Sequence, residues 1–252
     1  MNTRNFDFGG SVGQRLAGRL DLPDETPKGY AVFAHCFTCT KNSLAATRIA
    51  RSLTARGIGV LRFDFTGLGG SEGQFGEGGF SADVDDLRAA IAQMESEGVV
   101  PQLLIGHSFG GAAALAAASM TPGIKAVAAI AAPYDVKHVA GHLRDELQTI
   151  IDQGEARVTL GGRPFTVRRS FVQDLDKHDQ GARIAALRRP LLILHSPTDS
   201  TVDVGNATAI FMAAKHPKSF VSLHDADHLL TRPRDAEYAA EVIAAWASRY
   251  LD

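Results

Sequence analysis

The segment 103–111 constrains the fold more than any other part of this sequence. Its apolar residues run directly into Gly106-His107-Ser108-Phe109-Gly110, and an alanine-rich stretch follows at once. The apolar run predicts a buried strand, and the alanines predict a helix. So tight a turn forces its central residue into a strained backbone conformation and favours glycine on either side. The segment therefore predicts a strand–turn–helix unit, here called the elbow, that exposes the Ser108 hydroxyl at the C-terminal edge of a sheet.

The remaining sequence alternates short apolar runs with longer amphipathic ones, which is typical of a parallel sheet covered by helices. Predicted strands lie at 16–22, 30–36, 60–65, 103–105, 126–131, 191–194 and 220–223. Predicted helices lie at 43–56, 84–94, 112–120, 204–215 and 242–250. With 252 residues and 45% hydrophobic content, the sequence predicts a single α/β domain over residues 1–252.

Residues 136–187 interrupt this alternation and form a predicted insertion. Its first part, 138–153, has a helical pattern, and a polar helix is predicted from residue 170 onwards. Between them, 156–160 and 164–168 predict a hairpin that turns at Gly161-Gly162. Because the insertion follows the strand after the elbow helix, we expect it to form a small cap above the serine.

The composition argues against several kinds of partner. The formal net charge is −2, and no run of Lys or Arg suggests nucleic acid. The first residues lack the apolar stretch of a secretory signal, and no apolar run approaches the roughly 18 residues of a membrane span. Two cysteines are too few for a secreted disulfide scaffold. We therefore expect a cytoplasmic protein that binds neither nucleic acid nor membrane.

Neither a metal nor another cofactor is expected. His138 and His142 have the spacing of H-E-x-x-H, but Val139 stands in place of the glutamate and no third ligand is evident. The glycine-rich loop 67–73 departs from G-x-G-x-x-G because Glu72 takes the last glycine position.

A serine hydroxyl is a weak nucleophile at neutral pH, so Ser108 needs a base that takes its proton. The predicted strand 220–223 runs into a loop that contains His224 and His228. We favour His228 because it lies deeper in the loop and precedes two leucines that can anchor it. His224 is the alternative.

The base needs a carboxylate that fixes its tautomer. Asp199 follows another predicted strand and should lie at the same sheet edge as the elbow. Asp203 is expected to begin a helix instead, and Asp225 and Asp227 are too close to His228 in sequence to reach behind its ring. Asp199 therefore completes the predicted catalytic triad.

An oxyanion that forms beside the serine needs two backbone N–H donors. We predict one at Phe109, directly after the serine, and one at Phe37 in the loop after strand 30–36. His35 is interpreted as a residue that orients this loop, with a catalytic role as the alternative. Cys36 and Cys39 have redox spacing, but two packed thiols are favoured over a disulfide switch that distorts the oxyanion loop.

Together these motifs resemble the α/β-hydrolase superfamily, from His-Cys-Phe at 35–37 to the histidine loop. The sequence is similar in particular to the hydrolase half of bacterial proteins that fuse an α/β-hydrolase to an OsmC-like peroxide-reducing domain. The motifs shared with these fusions are His-Cys-Phe-Thr-Cys at 35–39, Phe-Asp-Phe-Thr-Gly-Leu-Gly at 63–69, His-Ser-Pro-Thr-Asp at 195–199 and Ala-Asp-His-Leu-Leu-Thr-Arg at 226–232. The resemblance implies an OsmC-like partner domain, fused or in trans, and a chain that is either a stand-alone relative or a truncated fusion. Where the superfamily usually has His-Gly, this sequence has His35-Cys36, which puts a side chain close to the oxyanion donors.

The expected function is hydrolysis of small carboxylic esters with short to medium acyl chains, through an acyl-enzyme on the serine. Amide or peptide hydrolysis, thioester hydrolysis and perhydrolysis use the same triad and stay open as alternatives. An alternative of another class is a non-catalytic binding module with the same fold. The expected substrate-lining residues are His35, Cys36, His107, Tyr134, His138, His142 and Phe171.

Overall fold

The computed structural model describes residues 2–251. Its strands are Asn2–Asn5 (β1), Phe8–Gly9 (β2), Arg15–Leu16 (β3), Gly18–Leu22 (β4), Gly29–Ala34 (β5), Ile58–Phe63 (β6), Leu103–His107 (β7), Ala126–Ile130 (β8), Glu155–Leu160 (β9), Arg163–Arg168 (β10), Leu191–His195 (β11) and Lys218–Ser222 (β12). Its α-helices are Leu44–Thr54 (α1), Gly79–Ser96 (α2), Phe109–Ala117 (α3), Leu147–Gln153 (α4), Arg169–Leu175 (α5), Gln180–Ala186 (α6), Gly205–Ala213 (α7) and Pro233–Ala247 (α8). Short 3₁₀ segments lie at Ala118–Met120, Val136–Leu143 and Ser248–Tyr250.

Eight strands form one sheet in the order β1-β4-β6-β5-β7-β8-β11-β12. From β6 onwards each strand runs parallel to its neighbour, whereas β1 and β4 are antiparallel additions at one edge. The central strands are apolar throughout because helices cover both faces of the sheet. Helices α1 and α8 pack on one face, and α2, α3 and α7 pack on the other. The predicted α/β fold with a mostly parallel sheet is therefore confirmed.

Strands β5 and β6 end, and helix α3 begins, at the edge of the sheet where the candidate site lies. Strand β5 stops at Ala34 and β6 stops at Phe63, two residues earlier than predicted in each case. The chain leaves the sheet there because Asp64 accepts hydrogen bonds from the backbone N–H groups of Lys41 and Gly70, at 2.6 and 2.8 Å. Helix α3 begins at Phe109, three residues earlier than predicted, so that it follows Ser108 directly.

The segment 136–187 contains a 3₁₀ turn, α4, the β9–β10 hairpin, α5 and α6. The hairpin pairs Leu160 with Arg163 and turns through Gly161 and Gly162, whose φ angles are +56° and +74°. At the tip, the Arg163 guanidinium donates a hydrogen bond to the carbonyl of Thr38. The hairpin is thus tied to the loop that follows β5.

No helix within residues 2–251 combines the length and the apolar character that a membrane crossing requires.

Candidate active site

The turn between β7 and α3 holds Ser108 in a backbone conformation that side chains rarely adopt, with φ 55° and ψ −124°. A side chain at Gly106 would overlap the backbone of Gly110, and one at Gly110 would overlap the carbonyl of His35. Glycine at both positions therefore lets the turn close tightly against the end of β5. As a result, the Ser108 side chain lies at the C-terminal edge of the sheet, in front of the N-terminus of α3.

The three side chains of the predicted triad lie within hydrogen-bonding distance of one another. His228 Nε2 lies 2.9 Å from Ser108 Oγ, and His228 Nδ1 lies 2.7 Å from Asp199 Oδ2. Since a carboxylate only accepts, Nδ1–H donates to Asp199, and Nε2 is left to accept the proton of the serine hydroxyl. The arrangement can therefore transfer a proton from Ser108 to His228 while Asp199 holds the ring.

Asp199 is buried, and its second oxygen accepts the backbone N–H groups of Thr201 and Val202 at 2.8 and 2.9 Å. Burial alone would raise the pKa of this carboxyl, but the hydrogen bonds from His228, Val202 and Thr201 outweigh it and lower the pKa below its usual value. Asp199 is therefore a carboxylate at neutral pH, and its orientation is fixed by three donors.

Two buried histidines that the sequence did not place in the triad support its loops. His107 Nε2–H donates to the backbone carbonyl of His228 at 2.7 Å, and His195 Nε2–H donates to the carbonyl of Val202 at 2.7 Å. Burial lowers the pKa of His107 to about 4 and also lowers the pKa of His195. Both rings are therefore neutral donors at pH 7. Their positions at the ends of predicted strands were the only sequence signal for these contacts.

Of the two predicted oxyanion donors, Phe37 lies in the loop after β5 and Phe109 is the first residue of α3. Their rings contact each other with centroids 5.2 Å apart. Neither the Phe37 N–H nor the Phe109 N–H donates to an acceptor within residues 2–251. His35 lies behind them, with Nδ1–H donating to the Cys36 carbonyl at 2.9 Å and Nε2 accepting from Phe65 N–H at 3.4 Å. Burial lowers the pKa of His35 to about 4, so this ring is neutral.

The preference for two packed thiols is wrong. Cys36 and Cys39 are joined by a disulfide bond, with their Cα atoms 5.1 Å apart. A tight turn brings them together, since the Cys39 N–H donates to the Cys36 carbonyl at 2.9 Å. Cys-x-x-Cys disulfides are best known at helix N-termini, but here a turn alone is sufficient to bring the two cysteines together.

A cavity of about 470 Å³ opens above Ser108. Its lining contains both cysteines, the predicted donor Phe37, part of the hairpin and part of the histidine loop: Cys36, Phe37, Thr38, Cys39, Thr40, Ser43, Ser108, His142, Leu160, Gly161, Arg163, Thr201, His228 and Leu229. Among these described lining residues, Arg163 carries a permanent positive charge, and none is an aspartate or a glutamate.

Cys36 and His142 are the predicted substrate-lining residues that border this cavity. The other five lie elsewhere: His35 and His107 are buried beneath the site, His138 borders a neighbouring depression, Phe171 packs among aromatic rings, and Tyr134 lies against α6. The sequence placed these five residues too close to the serine. A position in the sequence indicates which strand or helix carries a residue, but it does not indicate where the side chain points. Within residues 2–251, no group of three His, Cys, Asp or Glu side chains is arranged to hold a metal ion.

The chain is similar to one known protein family and to several proteins of known structure. The profile of the family described as serine aminopeptidase, S33, matches residues 25–162, a span that contains Ser108 but neither Asp199 nor His228. The crystal structure of the esterase domain from a Rhodothermus marinus protein is 50% identical and covers all of both chains, with a TM-score of 0.83. Est1E from Butyrivibrio proteoclasticus, solved with ferulic acid bound, is 19% identical over 97% of this chain and 98% of its own, with a TM-score of 0.82.

A monoacylglycerol lipase from Mycolicibacterium smegmatis is 24% identical over 229 residues, which is 79% of this chain and 80% of the lipase. The similarity to the esterase domain extends over the whole chain, and the family profile covers more than half of it. The chain therefore belongs to the serine aminopeptidase S33 family of the α/β-hydrolase superfamily.

Proposed function

We propose that the protein is a serine hydrolase of carboxylic esters. The observation that carries this proposal is the continuous hydrogen-bond chain from Asp199 through His228 to Ser108, which ends on the cavity surface. A buried carboxylate, a histidine and a strained serine in this order are the components that make a hydroxyl nucleophilic. A mere ligand pocket needs none of them.

In the proposed reaction, Ser108 Oγ attacks the acyl carbon of the ester while His228 Nε2 takes its proton. The free N–H groups of Phe37 and Phe109 stabilise the oxyanion, and the N-terminus of α3 adds a favourable dipole. The tetrahedral species expels the alcohol, which receives the proton from His228. Water then attacks the acyl-enzyme, again with His228 as the base, and releases the carboxylic acid and free Ser108.

The charge of the cavity favours esters over the aminopeptidase activity in the family's name. An aminopeptidase binds a substrate with a free α-ammonium group, which requires a carboxylate or another acceptor of that charge. The described lining residues include the Arg163 guanidinium and no carboxylate. The ammonium group would therefore meet a repulsive charge. The 50% identical relative is an esterase domain, which supports the same choice.

The size of the cavity supports short to medium acyl groups. A volume of about 470 Å³ lies within the range of roughly 300–1,000 Å³ that is usual for small-molecule sites. The polar residues Thr38, Thr40 and Ser43 share its wall with Leu160 and Leu229. This mixed lining suits an ester of modest size better than a long lipid chain.

The test is a panel of p-nitrophenyl esters from acetate to decanoate, with alanine p-nitroanilide as the aminopeptidase substrate. We expect kcat/KM to peak at short to medium chains and the anilide to be cleaved at least about 100-fold more slowly. Ser108→Ala should lower kcat by at least about 10⁴-fold. Ser119→Ala, which changes an exposed serine just beyond the far end of α3, serves as the matched control and should not alter it. Wild-type rates in Ser108→Ala, or a preference for the anilide, would contradict the proposal.

A further inference from the structure

The disulfide between Cys36 and Cys39 closes a four-residue loop in the wall of the cavity that contains Ser108. The loop contains Phe37, whose N–H is the proposed oxyanion donor opposite α3. These are the only two cysteines of the sequence. Within this sequence, thiol–disulfide exchange can therefore take place only at this bond.

Both sulfur-bearing residues border the cavity, so a molecule small enough to reach Ser108 also reaches the disulfide. Cys36 is buried, with 6% of its surface exposed, whereas Cys39 is half-buried. Cys39 is therefore the more exposed residue of the pair, and we take its sulfur as the point of attack. The guanidinium of Arg163 borders the same cavity, and its positive charge favours the approach of a thiolate.

The disulfide constrains the backbone on both sides of Phe37. The carbonyl of Cys36 accepts from Cys39 N–H and from His35 Nδ1–H, both at 2.9 Å, and the Phe37 ring packs against Phe75 and Phe109, each at 5.2 Å. The hydrogen bonds and ring contacts remain when the sulfur atoms separate, but the covalent closure of the loop does not. An oxyanion donor must be held within a few tenths of an ångström to act, so its contribution depends on this closure.

We propose that the Cys36–Cys39 disulfide is a thiol-exchange site for low-molecular-weight thiols, and that its reduction lowers ester hydrolysis by releasing the Phe37 N–H. The second part rests on the proposed function. This effect is opposite to the distortion of the oxyanion loop that the sequence suggested for a disulfide. In the proposal the oxidised protein is the more active form, because the disulfide is present in the structure in which the triad is aligned and the Phe37 N–H is free.

Each complete reduction of the disulfide consumes two molecules of a low-molecular-weight thiol. A thiolate attacks Cys39 Sγ, the bond between the two cysteine sulfurs breaks, and Cys36 leaves as a thiolate that takes up a proton. A second thiol then attacks the sulfur of the small molecule in the mixed disulfide and frees Cys39. Two thiols are oxidised to one disulfide, and the protein gains two electrons and two protons. An oxidised low-molecular-weight disulfide reverses the sequence.

The test begins with the native wild-type protein and needs no variant. Titration of accessible thiols should give none before, and two after, incubation with reduced glutathione without denaturant. The thiol is removed by gel filtration before assay, because free thiols cleave p-nitrophenyl esters themselves. We expect kcat for p-nitrophenyl acetate to fall about 10-fold. This loss is smaller than the 10²–10³-fold loss that follows complete removal of one oxyanion donor. Oxidised glutathione should restore it.

The double variant Cys36→Ser/Cys39→Ser should match the reduced wild type in kcat and should not respond to either form of glutathione. A protein that gains two thiols while its kcat stays constant would overturn the regulatory part of the proposal. A disulfide that glutathione cannot reduce without denaturant would overturn the exchange site. The thiol count does not depend on ester hydrolysis, so failure here is distinguishable from failure of the proposed function, which Ser108→Ala tests.

Discussion

At the scale of single residues, His228 is held at two points by adjacent residues of the chain. Ser108 Oγ contacts its side chain, and His107 Nε2–H donates to its backbone carbonyl. The rings of His107 and His228 also lie with their centroids 5.4 Å apart. One turn of backbone therefore positions both the proposed nucleophile, Ser108, and the histidine that is proposed to activate it.

Replacing His107 tests this link. His107→Leu removes the donor and leaves a buried carbonyl without a partner, so kcat for p-nitrophenyl butyrate should fall about 10-fold with little change in KM. His107→Gln keeps an N–H donor and should recover most of the loss. Steady-state kinetics on the two variants decide the matter, and a glutamine variant no better than the leucine variant would mean that the hydrogen bond does not position His228.

Much of the candidate site could be predicted from the sequence, because a motif marks Ser108 and the order of strands brings Asp199 and His228 to the same edge. The contact of His107 with His228 joins residues 121 positions apart. It depends on how the histidine loop folds back over the elbow, which no local pattern encodes. The disulfide was missed for a related reason, since the hydrogen bond that closes its turn is not visible in composition or spacing.

At the scale of elements, the site depends on how closely helix α3 approaches the end of strand β5. Gly110 faces the backbone carbonyls of Ala34 and His35, and a β-carbon there would overlap both. This close contact places the Phe109 N–H opposite the loop that carries Phe37. The sequence predicted the glycine as part of the turn, but its role against β5 follows only from the packing.

Gly110→Ala should therefore push α3 away from β5. We expect the free energy of unfolding to fall by about 2–3 kcal/mol, as for an overpacked core, and kcat to fall at least 10-fold because the two proposed oxyanion donors separate. Gly141→Ala is the matched control, since its β-carbon would meet nothing closer than Arg144 Nε at 3.9 Å. Urea unfolding with kinetics on both variants provides the measurement. Equal stability of the two variants would show that the contact between α3 and β5 is not tight.

At the scale of the whole molecule, the fold buries neutral histidines that carry a charge more readily when the chain is unfolded. Burial lowers the pKa of both His35 and His107 to about 4 from the ordinary value of 6.5. Between these two pH values the unfolded chain binds more protons, so these residues contribute stability above pH 6.5 that is lost as the pH falls towards 4. Asp86 acts in the opposite direction, because burial raises its pKa to about 6.

A comparison of wild type with His107→Gln isolates the contribution of the buried His107 imidazole to the pH dependence of stability. The unfolding free energy of wild type minus that of His107→Gln should decrease by about 3 kcal/mol between pH 7 and pH 4, the value of a shift from 6.5 to about 4. Urea unfolding at pH 7, 5.5 and 4 measures it. Parallel stability curves for the two proteins would contradict the account of a buried neutral imidazole.

The architecture of the whole molecule was the most predictable level. Alternating apolar and amphipathic runs indicated a parallel sheet covered by helices, and that prediction is confirmed. The antiparallel strand β1 was not predicted because its four residues, Asn2–Asn5, are polar and exposed. They carry no hydrophobic pattern, and only pairing with β4 makes them a strand.

The central claim is that Ser108 is a nucleophile activated by His228. It is tested most directly by treating the native protein with a fluorophosphonate and locating the adduct by peptide mass spectrometry. We predict one adduct per chain, on Ser108, that is absent in Ser108→Ala and forms at least about 10³-fold more slowly in His228→Gln. An unlabelled wild type, or equal labelling of Ser108→Ala, would contradict the claim.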